Sequence, residues 1–340
     1  MYSLPVFRNW FNDCREQRKI ILLMKICVIS FDFWNYDEHI VEELKRRGIV
    51  ANHINIGAYQ HKSFSARVQN TISKIVLKRN LKNEQRQEMI LDQLKKLGKQ
   101  DQILVINPEL IERKYHEEIK KFAGKYIAYL YDSLARCPAE HLFDLFDEIF
   151  SFDKDDAKKH DFQLITNYNY LPESQLDKNP SFDMVFIASY DKRIEILSKI
   201  TKKLDKMGLS YYAKIVGKKA WKENLNLDSK RTVFFTRRRL AHKDVPEFYK
   251  SGKVLLDLTR ENQTGLSFRI FEAMALKKKI ITNNHTIKDY DFFNPNNILV
   301  LKDDLSNLEK SFFETDYQEL DPEIYRKYTL EHWVEKVFNL

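Results

Sequence analysis

Residues 253–284 read KVLLDLTRENQTGLSFRIFEAMALKKKIITNN. The spacing predicts a buried strand over Lys253–Leu258, a polar loop over Thr259–Thr264, a helix opening near Gly265 and a second apolar strand over Lys279–Thr282. Ile270, Phe271, Met274 and Ala275 recur at helical intervals, so one face of that helix packs on a sheet while its first turn stays open. A strand that feeds a glycine-containing loop into a helix leaves unpaired backbone N–H groups and a partial positive charge at one point. Phosphate binds well there. Arg269, one turn in, can offer phosphate a planar, permanently charged fork, and Glu272 can accept hydrogen bonds from ribose or sugar hydroxyls. The same letters also fit a unit that binds nothing, with Thr264 as an ordinary helix cap.

A chain of 340 residues is longer than one ordinary core supports, so two domains are expected. Hydrophobic residues at 43%, with only 8 Gly and 8 Pro, mark a globular protein and exclude collagenous or low-complexity architecture. Cys14, Cys27 and Cys137 form no CxxC pair, so neither a disulfide framework nor a zinc site is expected, and a reducing compartment fits. His39, His53, His116 and His160 lack ligand spacing, so no metal is assigned. Ser133 and Ser267 lack a hydrolase context. The formal charge of +8 favours an anionic partner, whether nucleic acid, a phosphorylated substrate or an anionic membrane surface, and charge alone does not choose among them. Basic residues are dispersed among acidic ones and no nucleic-acid-binding signature occurs, which argues against nucleic acid. No stretch reaches the roughly 20 apolar residues of a membrane span.

Residues 1–23 form an N-terminal extension in which Phe7, Trp10 and Phe11 share a face beside Arg8, Arg15, Arg18 and Lys19. This suits an interfacial anchor, a surface helix, or a start placed ahead of Met24; it is not a secretory signal. From there KICVIS (25–30) reads as a strand, FDFWNYD (31–37) as a loop, residues 38–48 as a helix closed by Gly48, and 49–56 as a second strand. This βαβ opening has no glycine fingerprint for a dinucleotide. Phe33, Trp34 and Tyr36 can stack on a sugar or base, or pack at the sheet edge. Residues 62–100 suggest one or two exposed helices. Strands at 102–107, 126–131 and 148–152 then alternate with helices at 109–122 and 139–146, which predicts a parallel sheet with ligands at its carboxyl ends. Those ends carry Asp32, Asp37, Asn107, Asp132, Ser133 and Asp153. Asp132, directly after YIAYLY, can act as a general base or as a turn residue.

Residues 167–182 lose periodicity and read as a linker. A second run follows, with strands at 183–189, 211–217 and 232–236, helices at 191–207 and 245–251, the opening stretch, and a strand at 298–301. The expected architecture is α/β, with two Rossmann-like parallel-sheet domains facing a cleft, over residues 24–170 and 183–320, closed by a C-terminal helix over 321–340. Arg237, Arg238 and Arg239 stand at a strand end, where they can meet a diphosphate or form a basic surface loop.

The segments NQTGLSFRIFEAMALKKKIITNN and DFFNPNNILVL, with KICVISFDFWNYDEHIVEELKRRGI, YLYDS and EIFSFDKDDAKK, resemble the GT-B glycosyltransferases, closest to the CgeB-like group of lipopolysaccharide and capsule biosynthesis. The resemblance implies a nucleotide-sugar donor on the second domain, a glycan or lipid-linked acceptor on the first, and no metal or other cofactor, because a helix dipole and basic side chains stabilise the departing diphosphate. It implies a cytoplasmic enzyme, at the inner face of the membrane, making cell-surface polysaccharide. By similarity Gln263, Thr264, Gly265, Leu266 and Ser267 face the diphosphate, Arg269 and Arg237 pair with it, and Glu272 binds hydroxyls. Retaining relatives carry two glutamates, the first of which falls here on Thr264 and the second on Glu272, so retention is not supported; if the reaction inverts, Asp132 or Asp37 is the candidate base. A binding protein that kept the site and lost the chemistry is the competing reading.

Overall fold

The computed structural model describes residues 24–32, 34–58, 81–176, 179–217 and 231–340. The extension with Phe7, Trp10, Phe11 and Cys14, the aromatic Phe33, and the part of the charged stretch from 62 to 80 lie outside the described residues. The chain divides into two units, one reaching to Ile165 and including Trp333–Leu340, the other Thr166–His332. Each holds a six-stranded parallel sheet.

The first unit contains β1 (Lys25–Ser30), α1 (Asp37–Arg46), β2 (Val50–Asn55), α2 (Leu81–Leu97), β3 (Gln100–Ile106), α3 (Arg113–Lys120), β4 (Ala123–Leu130), β5 (Glu148–Ser151), α4 (Lys154–His160) and β6 (Gln163–Leu164). Its strand order is β2-β1-β3-β4-β5-β6. KICVIS is buried at every position after Lys25, as a central strand covered on both faces requires. β2 and β3 flank β1 on opposite sides, so the chain reverses direction across the sheet there and opens a crevice at the carboxyl ends of β1 and β3.

The second unit contains β7 (Phe182–Ser189), α5 (Arg193–Met207), β8 (Tyr211–Val216), β9 (Arg231–Thr236), α6 (Val245–Lys250), β10 (Gly252–Asp257), α7 (Phe268–Ala275), β11 (Lys279–Thr282) and β12 (Ile298–Val300), in the order β12-β11-β10-β7-β8-β9. Strand periodicity of two sorts its core into layers. Met184, Phe186, Val254, Leu256 and Ile281 pack with Leu197, Ile200 and Leu204 of α5 on one face. Val185, Leu255 and Ile280 pack with Ile270, Phe271 and Met274 of α7 on the other. At roughly 1.5–3 kcal/mol for each large side chain taken out of water, these layers hold both helices to the sheet. Here the chain reverses between β7 and β10.

Several local expectations change. The helix foreseen over 109–122 is a turn at Pro108–Leu110 followed by α3, because Ile111 is extended (φ −115°, ψ 131°) and breaks the run. The segment at 139–146 forms a short 3-10 helix, Glu140–Leu145. The single C-terminal helix expected over 321–340 is two: after α8 (Lys310–Glu314) come α9 (Pro322–Arg326) and α10 (Leu330–Phe338). Between these last two, Thr329 forms a parallel bridge with Asn169, whose N–H donates to Tyr328 O at 2.8 Å and whose carbonyl accepts from Leu330 N–H at 2.8 Å. Those backbone groups are thereby taken from the helical ladder. The end of α10 belongs to the first unit: Trp333 meets Tyr129 edge-on at 5.1 Å, Gln102 Nε2 donates to Phe338 O at 2.9 Å, and Arg47 pairs with Glu335 at 3.1 Å. Among the described residues no helix is long and apolar enough to cross a membrane.

Gly252 opens β10 against β7 so closely that an added Cβ would lie 2.5 Å from Val185 Cγ2 and 2.9 Å from Cγ1. Valine is stiff about χ1 and cannot swing away. Gly252→Ala is therefore expected to destabilise the second unit by about 1–3 kcal/mol, read as a lower denaturation midpoint.

Candidate functional site

The site of the second unit is built on Asp257, the last residue of β10. An apolar strand carries it to the sheet's carboxyl end, where it is buried. Its Oδ1 accepts from Ser267 Oγ at 2.7 Å and from Arg269 Nη1 at 2.6 Å, and its Oδ2 accepts from Thr282 Oγ1 at 3.2 Å. Arg269 Nη2 donates to Ile187 O at 2.7 Å, and the guanidinium lies over the Phe186 ring. β7 and β10 pair only as far as Val185 and Leu255, so Arg269 takes up a carbonyl just beyond their ladder. Burial works against the Arg269 charge, yet Tyr249, Asp257 and Glu272 together hold the guanidinium above its ordinary value. Sequence reasoning missed Asp257, and its one signal was an acid closing the apolar run KVLLD.

The helix opens at Phe268, three residues later than expected, with Ser267 rather than Thr264 at its N-cap. Ser267 has the extended cap conformation but its side chain caps no helix amide; the hydroxyl goes to Asp257 instead. The loop before it is pinned by its carbonyls. Thr264 O accepts from Thr286 Oγ1 at 2.6 Å and from Asn284 Nδ2 at 3.2 Å, and Gly265 O accepts from Gln263 Nε2 at 3.2 Å. Leu266 is a core residue whose carbonyl accepts from Asn167 Nδ2 at 2.9 Å. Glu272 is buried, and its Oε1 accepts from Tyr170 OH at 2.6 Å, a residue of the expected linker that stacks on His242.

At the neighbouring end of β7, Asp191 is gripped by Arg193 at 2.8 and 2.7 Å, with Arg260 Nε 3.7 Å away. Burial raises the Asp191 carboxyl, but the two arginines outweigh it and hold the acid below its usual range. Arg193 Nη1 also donates to Leu258 O at 2.9 Å. Arg193 and Arg260 thus bring positive charge to the crevice that the sequence reading had sought from Arg237. Arg237 is exposed after β9, the edge strand. Three strand spacings, about 14 Å, separate that strand from β10.

In the first unit, Asp32 caps α1 by accepting the N–H groups of Asp37 and Glu38, each at 3.2 Å. Asp37 lies beneath, and burial first, then the charge of Asp32, push its carboxyl up to about 8 against a hydrogen bond from Ser30. Ser30 Oγ is 2.9 Å from His53 Nε2. Asp132 is held by Arg136. Tyr131 reports that these groups share one end of the sheet: burial raises its hydroxyl, and so do Asp37, Asp32, Glu109 and Asp132. The other strand-end candidates are structural. Asp153 caps α4 through the N–H groups of Asp155 and Asp156, and the Ser133 carbonyl closes a turn onto Arg136 and Cys137. Among the described residues no group of three or more His, Cys, Asp or Glu is placed to hold a metal ion.

Asp257→Ala leaves the buried Arg269 charge without its carboxylate and is expected to cost about 3–5 kcal/mol in chemical denaturation, while Asp257→Ala combined with Arg269→Met recovers much of that loss. Asp37 gives a pH signature. Its carboxyl titrates at 3.8 ordinarily and at about 8 in the fold, so the folded state retains a proton that the unfolded state has lost. Stability accordingly falls as pH rises through that window, by at most about 1.4 kcal/mol per pH unit. Asp37→Asn should flatten the slope when urea unfolding is compared between pH 5 and pH 8.

The family model described as "Glycosyl transferase-like" matches residues 193–337. No curated protein sequence is similar enough to match the chain. Among solved structures, the apo form of the lipopolysaccharide outer core galactosyltransferase WaaB is 12% identical, with a TM-score of 0.55 over 93% of this chain and 99% of its own. An alpha-glucosyltransferase in complex with UDP and a 13-mer DNA containing an HMU base is 10% identical, with a TM-score of 0.57 over 93% of this chain and 96% of its own. TarM, at 14% identity and a TM-score of 0.51, covers 75% of this chain and 58% of its own. At such identities the likeness is one of fold, and that fold is GT-B. Residues 193–337, which include Asp257, Arg269 and the whole crevice end of β10 and α7, match the glycosyl transferase-like family on a GT-B framework that spans nearly the entire chain.

Proposed function

We propose that this protein moves a sugar from a nucleotide-sugar donor to a hydroxyl of a glycan or lipid-linked acceptor in cell-surface polysaccharide synthesis, in the manner of the CgeB-like group. The observation that carries the reading is the start of α7. Ser267 occupies the N-cap yet spends its hydroxyl on Asp257. The opening N–H groups of the helix are therefore not capped by that side chain, at the carboxyl end of the strand where the order of the second sheet reverses. A diphosphate suits this point, with the helix dipole, Arg260 and Arg193 offsetting its charge.

In this reading Gln263–Ser267 surround the diphosphate, and Arg269 shapes the loop from below by holding Asp257. Glu272 turns toward the ribose or sugar hydroxyls with Tyr170 as its present partner. Thr264 stands where retaining relatives carry a glutamate and cannot supply that charge, which favours inversion. Inversion needs a base for the acceptor proton, and Asp37 and Asp132 are the carboxyls of the first unit available for it. The net charge of +8 fits work at the cytoplasmic face of an anionic membrane.

A thermal-shift screen with UDP-, GDP-, CMP- and dTDP-sugars, without added metal, tests the donor site, since a ligand of the folded state raises Tm. One nucleotide class is expected to shift it. Arg260→Ala, in the exposed loop, should then weaken that donor by about 1.5–3 kcal/mol, roughly 10- to 150-fold. Absence of any shift removes the donor reading for these nucleotides. Binding without sugar release to any acceptor would mark a protein that kept the site and lost the chemistry, the outcome Thr264 allows.

A further inference from the structure

In the second unit, residues 167–174 run along α7 in step with it. Asn167 Nδ2 donates to Leu266 O at 2.9 Å just ahead of the helix, and the Tyr168 ring meets Phe268 edge-on at 5.1 Å. Tyr170 OH then donates to Glu272 Oε1 at 2.6 Å, and Ser174 N–H to Ala275 O at 2.9 Å. The backbone on either side of Tyr170 is held without help from Glu272. Asn169 bridges to Thr329 and donates from Nδ2 to Tyr325 OH at 2.7 Å, and Leu171 packs into the apolar layer that holds α7. Asn167, Tyr168 and Asn169 are buried, whereas Tyr170 is only half-buried, its ring stacked on half-buried His242 with centroids 5.0 Å apart.

Glu272, by contrast, is 1% exposed and lies midway along a helix fixed to the sheet by Ile270, Phe271 and Met274. A phenol 2.6 Å from a carboxyl oxygen makes a short, charge-assisted type of hydrogen bond. It is also the bond that a ribose or sugar hydroxyl would make, an O–H donating to the same acceptor. Oε1 already holds that bond, and Oε2 is closed to solvent as well. A donor hydroxyl therefore reaches Glu272 only when something moves. The helix cannot, since its apolar face is locked into the core. Tyr170 can, because a half-buried side chain turns about its own torsions while Asn169 and Leu171 keep the backbone in place.

We propose that Tyr170 is a gate on Glu272: its hydroxyl and a hydroxyl of the nucleotide sugar compete for Glu272 Oε1, so donor binding swings the phenol out. This rests on the reading of Glu272 as the residue that meets donor hydroxyls. The donor then replaces an existing hydrogen bond rather than filling an open position, and Glu272 contributes to affinity only the difference between the two hydroxyls. A ligand with no hydroxyl at that point cannot make good the lost phenol bond and leaves the gate shut. Tyr170 thereby acts as a filter for hydroxyl-bearing donors, since selection depends on what the wrong ligand leaves unpaired. Loss of the Tyr170 hydroxyl should consequently weaken the fold and strengthen donor binding. A contact that served only to hold residues 167–174 to α7 would do the first without the second.

Tyr170→Phe keeps the ring and its stack on His242 and removes only the hydroxyl. In the full chain this variant should melt at a lower temperature than the unaltered protein. It should nevertheless bind UDP-glucose, or whichever GDP-, CMP- or dTDP-sugar takes its place, about tenfold more tightly by titration calorimetry. The phenol itself is followed by ¹⁹F NMR of the full chain labelled with 3-fluorotyrosine, the Tyr170 signal being the one lost in Tyr170→Phe. Saturation with the same nucleotide sugar should move that signal. Equal or weaker binding by Tyr170→Phe, or a Tyr170 signal unmoved at saturation, overturns the gate while the donor site stands. If no nucleotide sugar binds either the unaltered protein or the variant, the donor reading falls and the gate falls with it. Binding by the variant alone supports both.

Discussion

A buried carboxylate is tolerated only when its charge is met. In the second unit that requirement is satisfied by Arg269, whose guanidinium lies 2.6 Å from Asp257. Isolated in a protein interior, either ion would cost several kcal/mol. Together they join four segments. Asp257 ends β10, Arg269 lies in the first turn of α7 and reaches the backbone of β7, Ser267 fixes where that helix starts, and Thr282 brings in the end of β11. The helix N-terminus is consequently held at the crevice with its cap side chain turned away from its own amides. An arginine that looks like a phosphate ligand from its position in the chain is therefore first the counter-ion of its own sheet.

The two units put opposite chemistry at equivalent places. Where the second gathers Arg193, Arg260 and a helix dipole, the first gathers Asp32, Asp37, Glu109 and Asp132 around Tyr131. Cationic surroundings suit a departing diphosphate, and a carboxyl raised by burial, as Asp37 is, suits the handling of a proton. The overall charge of +8 describes neither end. It is a sum over a surface, and the chemistry depends on which charges the folded sheets bring to one point.

Much of the fold was legible because hydrophobic periodicity is a property of contiguous residues. KICVIS and KIIT were located to the residue, and α5, α6 and the start of α7 to within two or three positions. Failures fell where partners came from afar. Nothing within residues 321–340 announces that Asn169 will take the backbone of Tyr328 and Leu330 and split the helix. The delay of α7 to Ser267 likewise follows from Asp257, ten residues earlier, and from Asn284 and Thr286 on the far side of β11. Asp37 was visible as an acid at a strand end, but the burial that raises its carboxyl has no local trace.

By itself the sequence determined two parallel α/β units, the strand–loop–helix over residues 253–284, and the residue types that could meet a phosphate or a hydroxyl. The tertiary structure alone decided the strand orders, and with them the places where the chain reverses, which set Arg193 on the Leu258 carbonyl next to Asp257, Arg260 near Asp191, and Arg237 after an edge strand. It also decided which ionisable groups are spent on one another. The reason is physical: propensity and periodicity are summed over neighbours in the chain, whereas the charge state and partners of Asp257, Arg269, Asp37 and His53 depend on burial and on groups brought close only when the sheets assemble.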